Sequence, residues 1–224
     1  MFEEQSDEII IKYPDLEKSQ VNGITILKGS LEIIDSDGRK WDSYQIEIHP
    51  KKAFPYCFPT LYEVGEKIPI NADWHIYEQN KSCCLTVIQK EIYVCRNGIT
   101  LLEYIENWVI PYLANQTYRF IHGNYANGEY PHGIKATVVF YQDIFRTIDV
   151  REILFYISLI LKNIKYSRTD LCFCGSKEKL RKCHKEAFDI CVTLSDKILQ
   201  NDLIILRQYL KLNSMINLMN YYRS

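Results

Sequence analysis

Three cysteines and a histidine, gathered within a short stretch of the C-terminal half, constrain the fold of this chain most. They are Cys172, Cys174, Cys183 and His184, in the order Cys-x-Cys, eight residues, Cys-His. Thiolate sulfur and imidazole nitrogen are ligands that zinc prefers, and four of them complete a tetrahedron. Gly175 lets the chain bend away after the first pair of cysteines. The spacing therefore predicts a structural Zn²⁺ site, and the alternative is a loop of unligated cysteines.

The residues between these ligands carry a family pattern. The run Cys-Phe-Cys-Gly-Ser-Lys-Glu-Lys-Leu-Arg-Lys-Cys-His, residues 172–184, resembles the SEC-C motif, a zinc module found at the C-terminus of the SecA translocation motor and on many other bacterial proteins. Two positions depart from the pattern, since Phe173 replaces the usual proline and Glu178 a customary glycine. Neither position is a ligand. The resemblance implies a zinc-binding accessory that contacts a partner and is not itself catalytic.

Charge and hydropathy argue against two classes of partner. The 224 residues include 27 basic and 28 acidic side chains and no basic stripe with interleaved aromatic rings, so we expect no nucleic-acid partner. The longest apolar run, residues 153–161, has about half the length that a bilayer-spanning helix needs, so we expect no membrane partner. The N-terminus is acidic and does not resemble a signal peptide. For a chain with eight cysteines and no leader, we expect a reducing, cytoplasmic location.

An antiparallel sheet is predicted in the N-terminal half. Apolar residues alternate along 24–26, 31–33, 44–49 and 60–64, with a break at Gly29-Ser30. The sequence Asp35-Ser36-Asp37-Gly38 is typical of a tight turn in which glycine supplies the left-handed residue. The connections are too short for the crossover helices that parallel strands require, which favours a meander.

The remaining segments predict a long loop and three helices. Residues 69–97 lack periodicity, and a loop of that length inside a compact domain is usually functional. Thr100 is a predicted N-cap for a helix that carries Trp108. Further helices are predicted over about 149–162 and from about Lys185 to Leu212, and residues 123–133 look irregular.

The order of these features resembles the ubiquitin-conjugating (UBC-like) fold. The predicted meander leads to Phe54-Pro55-Tyr56-Cys57-Phe58-Pro59, which is similar to a Tyr/Phe-Pro-x-x-x-Pro element of that family. A long loop with His75 follows, and Cys84-Leu85 matches the catalytic Cys-Leu of the family. The helix carrying Trp108 comes last. The resemblance covers roughly residues 5–120.

This resemblance implies an α+β fold, with a UBC-like antiparallel meander, flanking helices, a small zinc module and a C-terminal helix. The implied layout is a conjugating domain at 1–148, a helical connector at 149–168, the zinc module at 169–190 and a helical segment at 191–224. Residues 110–133 look more like the bacterial branch of the family, some of whose members lie in anti-phage operons.

The activity that the resemblance implies is acyl transfer on a cysteine. A ubiquitin-like modifier would pass from an activating enzyme to the Cys84 thiol as a thioester and then to a protein target. Cys84 is favoured over Cys83 because the family pattern is cysteine followed by leucine. The run also fits a buried core strand, and we assign Cys57 and Cys95 to packing. A non-catalytic scaffold that binds partners through the zinc module is the alternative function.

One part of the family pattern is missing from the loop. No proline or asparagine follows His75, although that asparagine normally donates a hydrogen bond to the reaction's oxyanion. The resemblance implies that His75 organises the loop, and Asn80 or a backbone amide would have to supply the donor. Adjacent Cys83 and Cys84 chelate one tetrahedral ion poorly, so a second metal there is disfavoured. His132 is interpreted as a loop-packing residue.

Overall fold

A computed structural model describes residues 1–126, 131–162 and 165–221 of the chain. The chain forms two compact units, Met1–Glu129 and Tyr130–Ser224. The first combines a sheet with helices, and the described part of the second is helical around the cysteine-rich segment. The predicted α+β class is confirmed at this level.

The sheet of the first unit has four antiparallel strands in the order β1-β2-β3-β4, so the predicted meander is confirmed. Their bounds are β1 Leu16–Val21, β2 Ile24–Ile34, β3 Lys40–His49 and β4 Thr60–Glu63. Strand β1 was not predicted, because only Leu16 of its six residues is buried and no apolar alternation marks it. The predicted turn is present, with the Asp35 carboxylate accepting from the Asp37 and Arg39 amides at 2.9 Å each.

Strand β2 runs unbroken through Gly29, where the sequence predicted an interruption. Gly29 has φ of 139°, and a Cβ there would lie 2.1 Å from the Asp15 carbonyl oxygen. That same carbonyl accepts a hydrogen bond from the Ser30 amide at 3.1 Å. The gap in the apolar pattern therefore marks a close approach of the chain entering β1 and does not mark the end of a strand.

Helices cover one face of this sheet and complete the core. Helix α1 spans Phe2–Lys12, α2 Ile88–Cys95, α3 Leu101–Tyr104 and α4 Ile110–His122. A π-helical turn, Ile105–Val109, joins α3 to α4, because Pro111 lacks the amide that a regular α-helix would use there. The buried side chains of α1, α3 and α4 pack with those of β2 and β3 in one hydrophobic cluster.

In this unit one helix cap agrees with the prediction and one long loop does not. The cap at Thr100 is confirmed: its hydroxyl accepts from the Glu103 amide at 3.1 Å, and Glu103 accepts in return from the Thr100 amide at 2.9 Å. The prediction of an unstructured loop over 69–97 is wrong, because it contains a 3₁₀ turn, Ala72–Trp74, and all of α2. Helix α2 has only eight residues, too few to establish a periodic pattern.

The second unit contains α5 Ile134–Phe145, α6 Val150–Leu161, α7 Lys185–Thr193 and α8 Asp196–Tyr221, with a 3₁₀ turn at Leu180–Lys182. Helix α6 agrees with the prediction for 149–162, and Asp149 caps it by accepting from the Arg151 amide at 2.8 Å. The single helix predicted from Lys185 is wrong. It breaks at Leu194, because Ser195 accepts the first amides of α8 and starts a new helix.

Helix α5 was not predicted and lies before the proposed domain boundary at residue 148. It packs on α6, α7 and α8, so it belongs to the second unit. The predicted irregular stretch 123–133 includes residues 127–130, which lie outside the described part of the chain. Among the helices of the described residues, none is long and apolar enough to cross a membrane.

Candidate metal centre and candidate thiol site

The four predicted zinc ligands lie together in the second unit. One ligand atom from each residue falls within 4.8 Å of all the others. The Cys174 and Cys183 sulfurs are 3.6 Å apart, and His184 Nδ1 is 3.2 Å from both the Cys172 and the Cys183 sulfur. Two sulfurs bound to one tetrahedral zinc would be about 3.8 Å apart. The four side chains therefore already have nearly the spacing that one zinc ion requires.

Local backbone structure brings the ligands to this spacing. Leu171 and Lys179 form an antiparallel bridge, and the Cys172 amide donates to the Glu178 carbonyl at 2.8 Å. Gly175, with φ of 78°, turns the chain after the first pair of cysteines as the sequence predicted. The 3₁₀ turn that follows places the second pair of ligands immediately before α7.

The imidazole of His184 is oriented by a partner outside the motif. Its Nε2 is 2.8 Å from the Phe145 carbonyl oxygen at the end of α5, so Nε2–H donates there and Nδ1 points at the sulfurs. Zinc-bound histidines generally have such a second partner, which fixes the tautomer and the ring orientation. The Phe173 ring stacks on the imidazole at 5.6 Å between centroids, and Tyr156 and Phe145 flank it at 5.8 and 6.1 Å.

These features fit Zn²⁺ in a structural role. Three thiolates and one imidazole are a complete tetrahedral set, which leaves no position for substrate or water. The described residues contain no other group of three or more candidate ligands, and Cys191 of α7 is fully buried away from the four. Sequence spacing identified every ligand. It missed the rings of Tyr156 and Phe145 and the Phe145 carbonyl, because these come from α6 and α5, outside the motif, and it gave no role to the Phe173 ring inside the motif.

Exposed basic side chains lie between the metal ligands in the sequence. The motif contributes four of them, Lys177, Lys179, Arg181 and Lys182. All four are exposed, and none forms an ion pair within the described part of the chain. Three thiolates around a dication leave one net negative charge. Glu178, also exposed, offsets one more of the four positive charges, so these residues and the metal centre together keep a net positive charge.

The second candidate site is a short antiparallel turn between β4 and α2 in the first unit. Ile76 pairs with Cys83, and the Tyr77 amide donates to the Ser82 carbonyl at 2.9 Å. Neighbouring residues on such a pair point to opposite faces. Ile76 and Cys83 occupy the inner face, with 3% and 8% of their surface exposed, and Tyr77 and Cys84 share the outer one.

The two adjacent cysteines consequently differ in environment. Burial raises the pKa of Cys83 to about 12, so its thiol stays protonated. Cys84 is partly exposed, and burial raises its pKa less; a hydrogen bond with Tyr77 opposes that shift, and the negative charge of Glu91 adds to it. Of the other two cysteines assigned to packing, Cys95 is fully buried in the core and Cys57 is only partly buried.

His75 is joined to Cys84 through the backbone. It adopts the left-handed conformation, with φ of 55°, and its carbonyl accepts from the Cys84 amide at 2.7 Å. The Tyr112 hydroxyl of α4 donates to the same carbonyl at 3.2 Å, and the His75 ring packs edge-on against Tyr125 at 5.4 Å. These contacts anchor the chain next to Cys84.

Asn80 occupies the tip of the same turn. Its side-chain oxygen accepts from the Ser82 amide at 3.1 Å and from the Ser82 hydroxyl at 2.9 Å. Tyr77 and Glu91, which both act on Cys84, were not identified from the sequence. Their only sequence signal was their position within the region predicted as a functional loop. His132 lies outside this unit, two residues before α5.

Comparison with known proteins supports the metal centre alone. No curated protein and no solved structure matches the chain. One family model, described as the SEC-C motif, matches residues 168–186. This segment contains Cys172, Cys174, Cys183 and His184, whose geometry suits zinc. The chain therefore carries a SEC-C motif with a Cys₃His cluster consistent with a bound zinc.

Proposed function

We propose that the first unit is a ubiquitin-conjugating-like acyltransferase that carries a ubiquitin-like modifier as a thioester on Cys84. The observation that supports this best is the position of Cys84. This residue is partly exposed on the outer face of a hydrogen-bonded turn, whereas Cys83 is buried in the core. A cysteine that only fills the core would not need to face outward.

The arrangement of elements agrees with the proposal. A four-strand meander leads to a structured segment that carries His75 and Cys84, and the helical segment with Trp108 follows. This is the order in which the family resemblance expects these features. The loop carrying Cys84 is held by backbone hydrogen bonds to Leu61 and His75, so a bound acyl group would sit on a fixed support.

The reaction proceeds by two acyl transfers. The Cys84 thiolate attacks the carbonyl carbon of a thioester on an activating enzyme, forms a new C–S bond and expels the enzyme's thiolate. An amine of the target then attacks the same carbon, an amide forms, and Cys84 leaves as thiolate. Because the pKa of Cys84 is raised, the reactive thiolate is the minor form at neutral pH, and the charging rate should rise as the pH is raised toward that pKa.

A charging assay tests this function. The protein is incubated with ATP and with an activating enzyme and ubiquitin-like modifier, sought among the proteins encoded beside it. Wild-type protein and the Cys83→Ala control should form an adduct that thiol reductant removes. Cys84→Ser should form a reductant-resistant ester, and Cys84→Ala none. Normal charging of Cys84→Ala would overturn the assignment.

The basic surface of the zinc module favours a second candidate function, a non-catalytic adaptor for an acidic protein partner. The four exposed cations at residues 177–182 have no ion-pair partner among the described residues. If the chain is an adaptor, binding of the acidic partner should weaken as the salt concentration rises. Replacing the four residues by glutamate should abolish that binding. The same replacement should leave Cys84 charging unchanged, so the two functions are separable in one set of variants.

A further inference from the structure

The oxyanion formed during acyl transfer needs a hydrogen-bond donor, and the described turn narrows the candidates. Asn80 is held at the tip of the turn by its side-chain oxygen, which accepts from two groups of Ser82. The amides of the two cysteines are also engaged: Cys83 donates to the Leu61 carbonyl at 2.9 Å and Cys84 to the His75 carbonyl at 2.7 Å. These bonds leave the Asn80 amide nitrogen as a donor, and the Tyr77 hydroxyl is a second side-chain donor on this turn.

Tyr77 stands next to Cys84 on that face. Because Ile76 pairs with Cys83, Tyr77 and Cys84 are diagonal neighbours on the opposite face, a separation that an aromatic side chain can bridge. The backbone of Tyr77 is fixed at both polar groups, its amide donating to Ser82 at 2.9 Å and its carbonyl accepting from Lys81 at 2.7 Å. Tyr77 is 48% exposed, so an incoming group can reach its side chain.

The hydroxyl of Tyr77 also stays a donor throughout the working pH range. Burial raises the pKa of the Tyr77 phenol well above its ordinary value, and the hydrogen bond with Cys84 raises it further. The phenol therefore keeps its proton when the neighbouring thiol ionises. A proton held beside the sulfur stabilises the thiolate. With an acyl group on the sulfur, the same proton would lie near the carbonyl oxygen, which is two bonds from the sulfur.

We propose that the Tyr77 hydroxyl is the oxyanion donor for transfer of the acyl group carried on Cys84. This proposal rests on the conjugating function proposed above and identifies a catalytic residue within it. When an amine attacks the thioester carbon, the carbonyl electron pair moves to oxygen and the Tyr77 O–H hydrogen-bonds to that oxyanion. Collapse re-forms the C=O bond, breaks the C–S bond and returns the electron pair to Cys84 as thiolate. The attacking amine loses its proton to solvent.

The test uses a synthetic probe and needs no cognate partner. Wild type and Tyr77→Phe are loaded with the 2-mercaptoethanesulfonate thioester of acetyl-glycylglycine, and the Cys84 adduct is identified by intact mass and peptide mapping. Excess thioester is removed, hydroxylamine is added, and the loss of the adduct is followed in a single turnover. Tyr56→Phe, which removes another exposed tyrosine hydroxyl, is the matched control, and Asn80→Ala tests the donor suggested by sequence.

Discharge of Tyr77→Phe should be at least about tenfold slower than that of wild type, since loss of one oxyanion donor commonly costs that much or more. Tyr56→Phe and Asn80→Ala should discharge at the wild-type rate. A fully loaded Tyr77→Phe that discharges normally would overturn the role of Tyr77 and leave the conjugating function standing. Failure of wild type to load on Cys84 would end both proposals.

A second measurement separates catalysis from packing. Replacement of Tyr77 by 3-fluorotyrosine keeps the ring and its contacts but makes the phenol a stronger donor. If the hydroxyl stabilises the oxyanion, discharge should be as fast as or faster than wild type while Tyr77→Phe is slow. Equal slowing by both replacements would show that only the fit of the ring matters and would contradict the proposal.

Discussion

Two glycines of the first unit are constrained for different reasons. Gly29 combines φ of 139° with a Cβ position 2.1 Å from the Asp15 carbonyl oxygen, whereas Gly38 has φ of 78° and open space around it. Gly38→Ala should therefore lower the free energy of unfolding only by the backbone strain, about 1 kcal/mol. Gly29→Ala should cost more than about 3 kcal/mol, because the chain entering β1 must also move. Equal losses in urea unfolding would contradict the close approach.

Buried thiols should make the first unit less stable as the pH becomes alkaline. Burial raises the pKa of Cys83 and of Cys95 to about 12, from an ordinary value of 9.0. Above pH 9 the unfolded chain loses these protons while the folded chain keeps them, so unfolding becomes easier as pH rises. Each thiol should contribute a loss of about 1.4 kcal/mol per pH unit. Urea unfolding at pH 9 and 10 should show a smaller slope for Cys95→Ala than for wild type, whereas an unchanged slope would show that Cys95 ionises normally in the folded protein.

At the level of elements, the start of α3 depends on a reciprocal pair of hydrogen bonds. Thr100 and Glu103 each accept an amide hydrogen bond from the other, so two amides of the first turn are satisfied. Thr100→Ala should lower the free energy of unfolding by about 1 kcal/mol, and Thr100→Ser should restore most of it because serine keeps the hydroxyl. If both variants lost the same stability in urea unfolding, the methyl group of Thr100 and not its hydroxyl would be responsible.

The elements that the sequence predicted well are those whose signal is local. The Asp35–Gly38 turn, the Thr100 cap and α6 each depend on residues within one turn or one stretch of periodicity. Strand β1 and helix α2 were missed because they are short and gain their stability from the elements they pack on. The break in the last predicted helix was missed because apolar residues continue across it, and only Ser195 marks the new start.

The same distinction separates the two candidate sites. The four zinc ligands lie within one short segment, so their spacing in sequence was enough to identify them. Apart from the Phe173 ring, which lies within the motif, the groups that orient or shield His184 come from α5 and α6, and nothing local to the motif indicates them. At Cys84 the exposure of the residue goes with the pairing of Ile76 with Cys83, an isolated bridge that no alternating pattern in the sequence marks.

For the molecule as a whole, the division into two units locates the effect of the metal. All four ligands belong to the second unit, and the Phe145 carbonyl that orients His184 does as well. A structural zinc typically contributes on the order of 10 kcal/mol or more to the segment that binds it. We therefore expect about one zinc per chain. Its removal by a chelator should destabilise residues 169–193 first.

Hydrogen exchange with mass spectrometry provides the measurement. After chelation, amides of α7 and of the turn around Gly175 should lose protection, while those of β2 and β3 keep theirs. Cys174→Ser should reproduce this pattern without chelator. Cys191→Ala, which removes a buried cysteine that is not a ligand, should retain the metal. Strands β2 and β3 belong to the first unit and contain none of the ligands. Loss of their protection on chelation would therefore mean that the metal also stabilises the first unit.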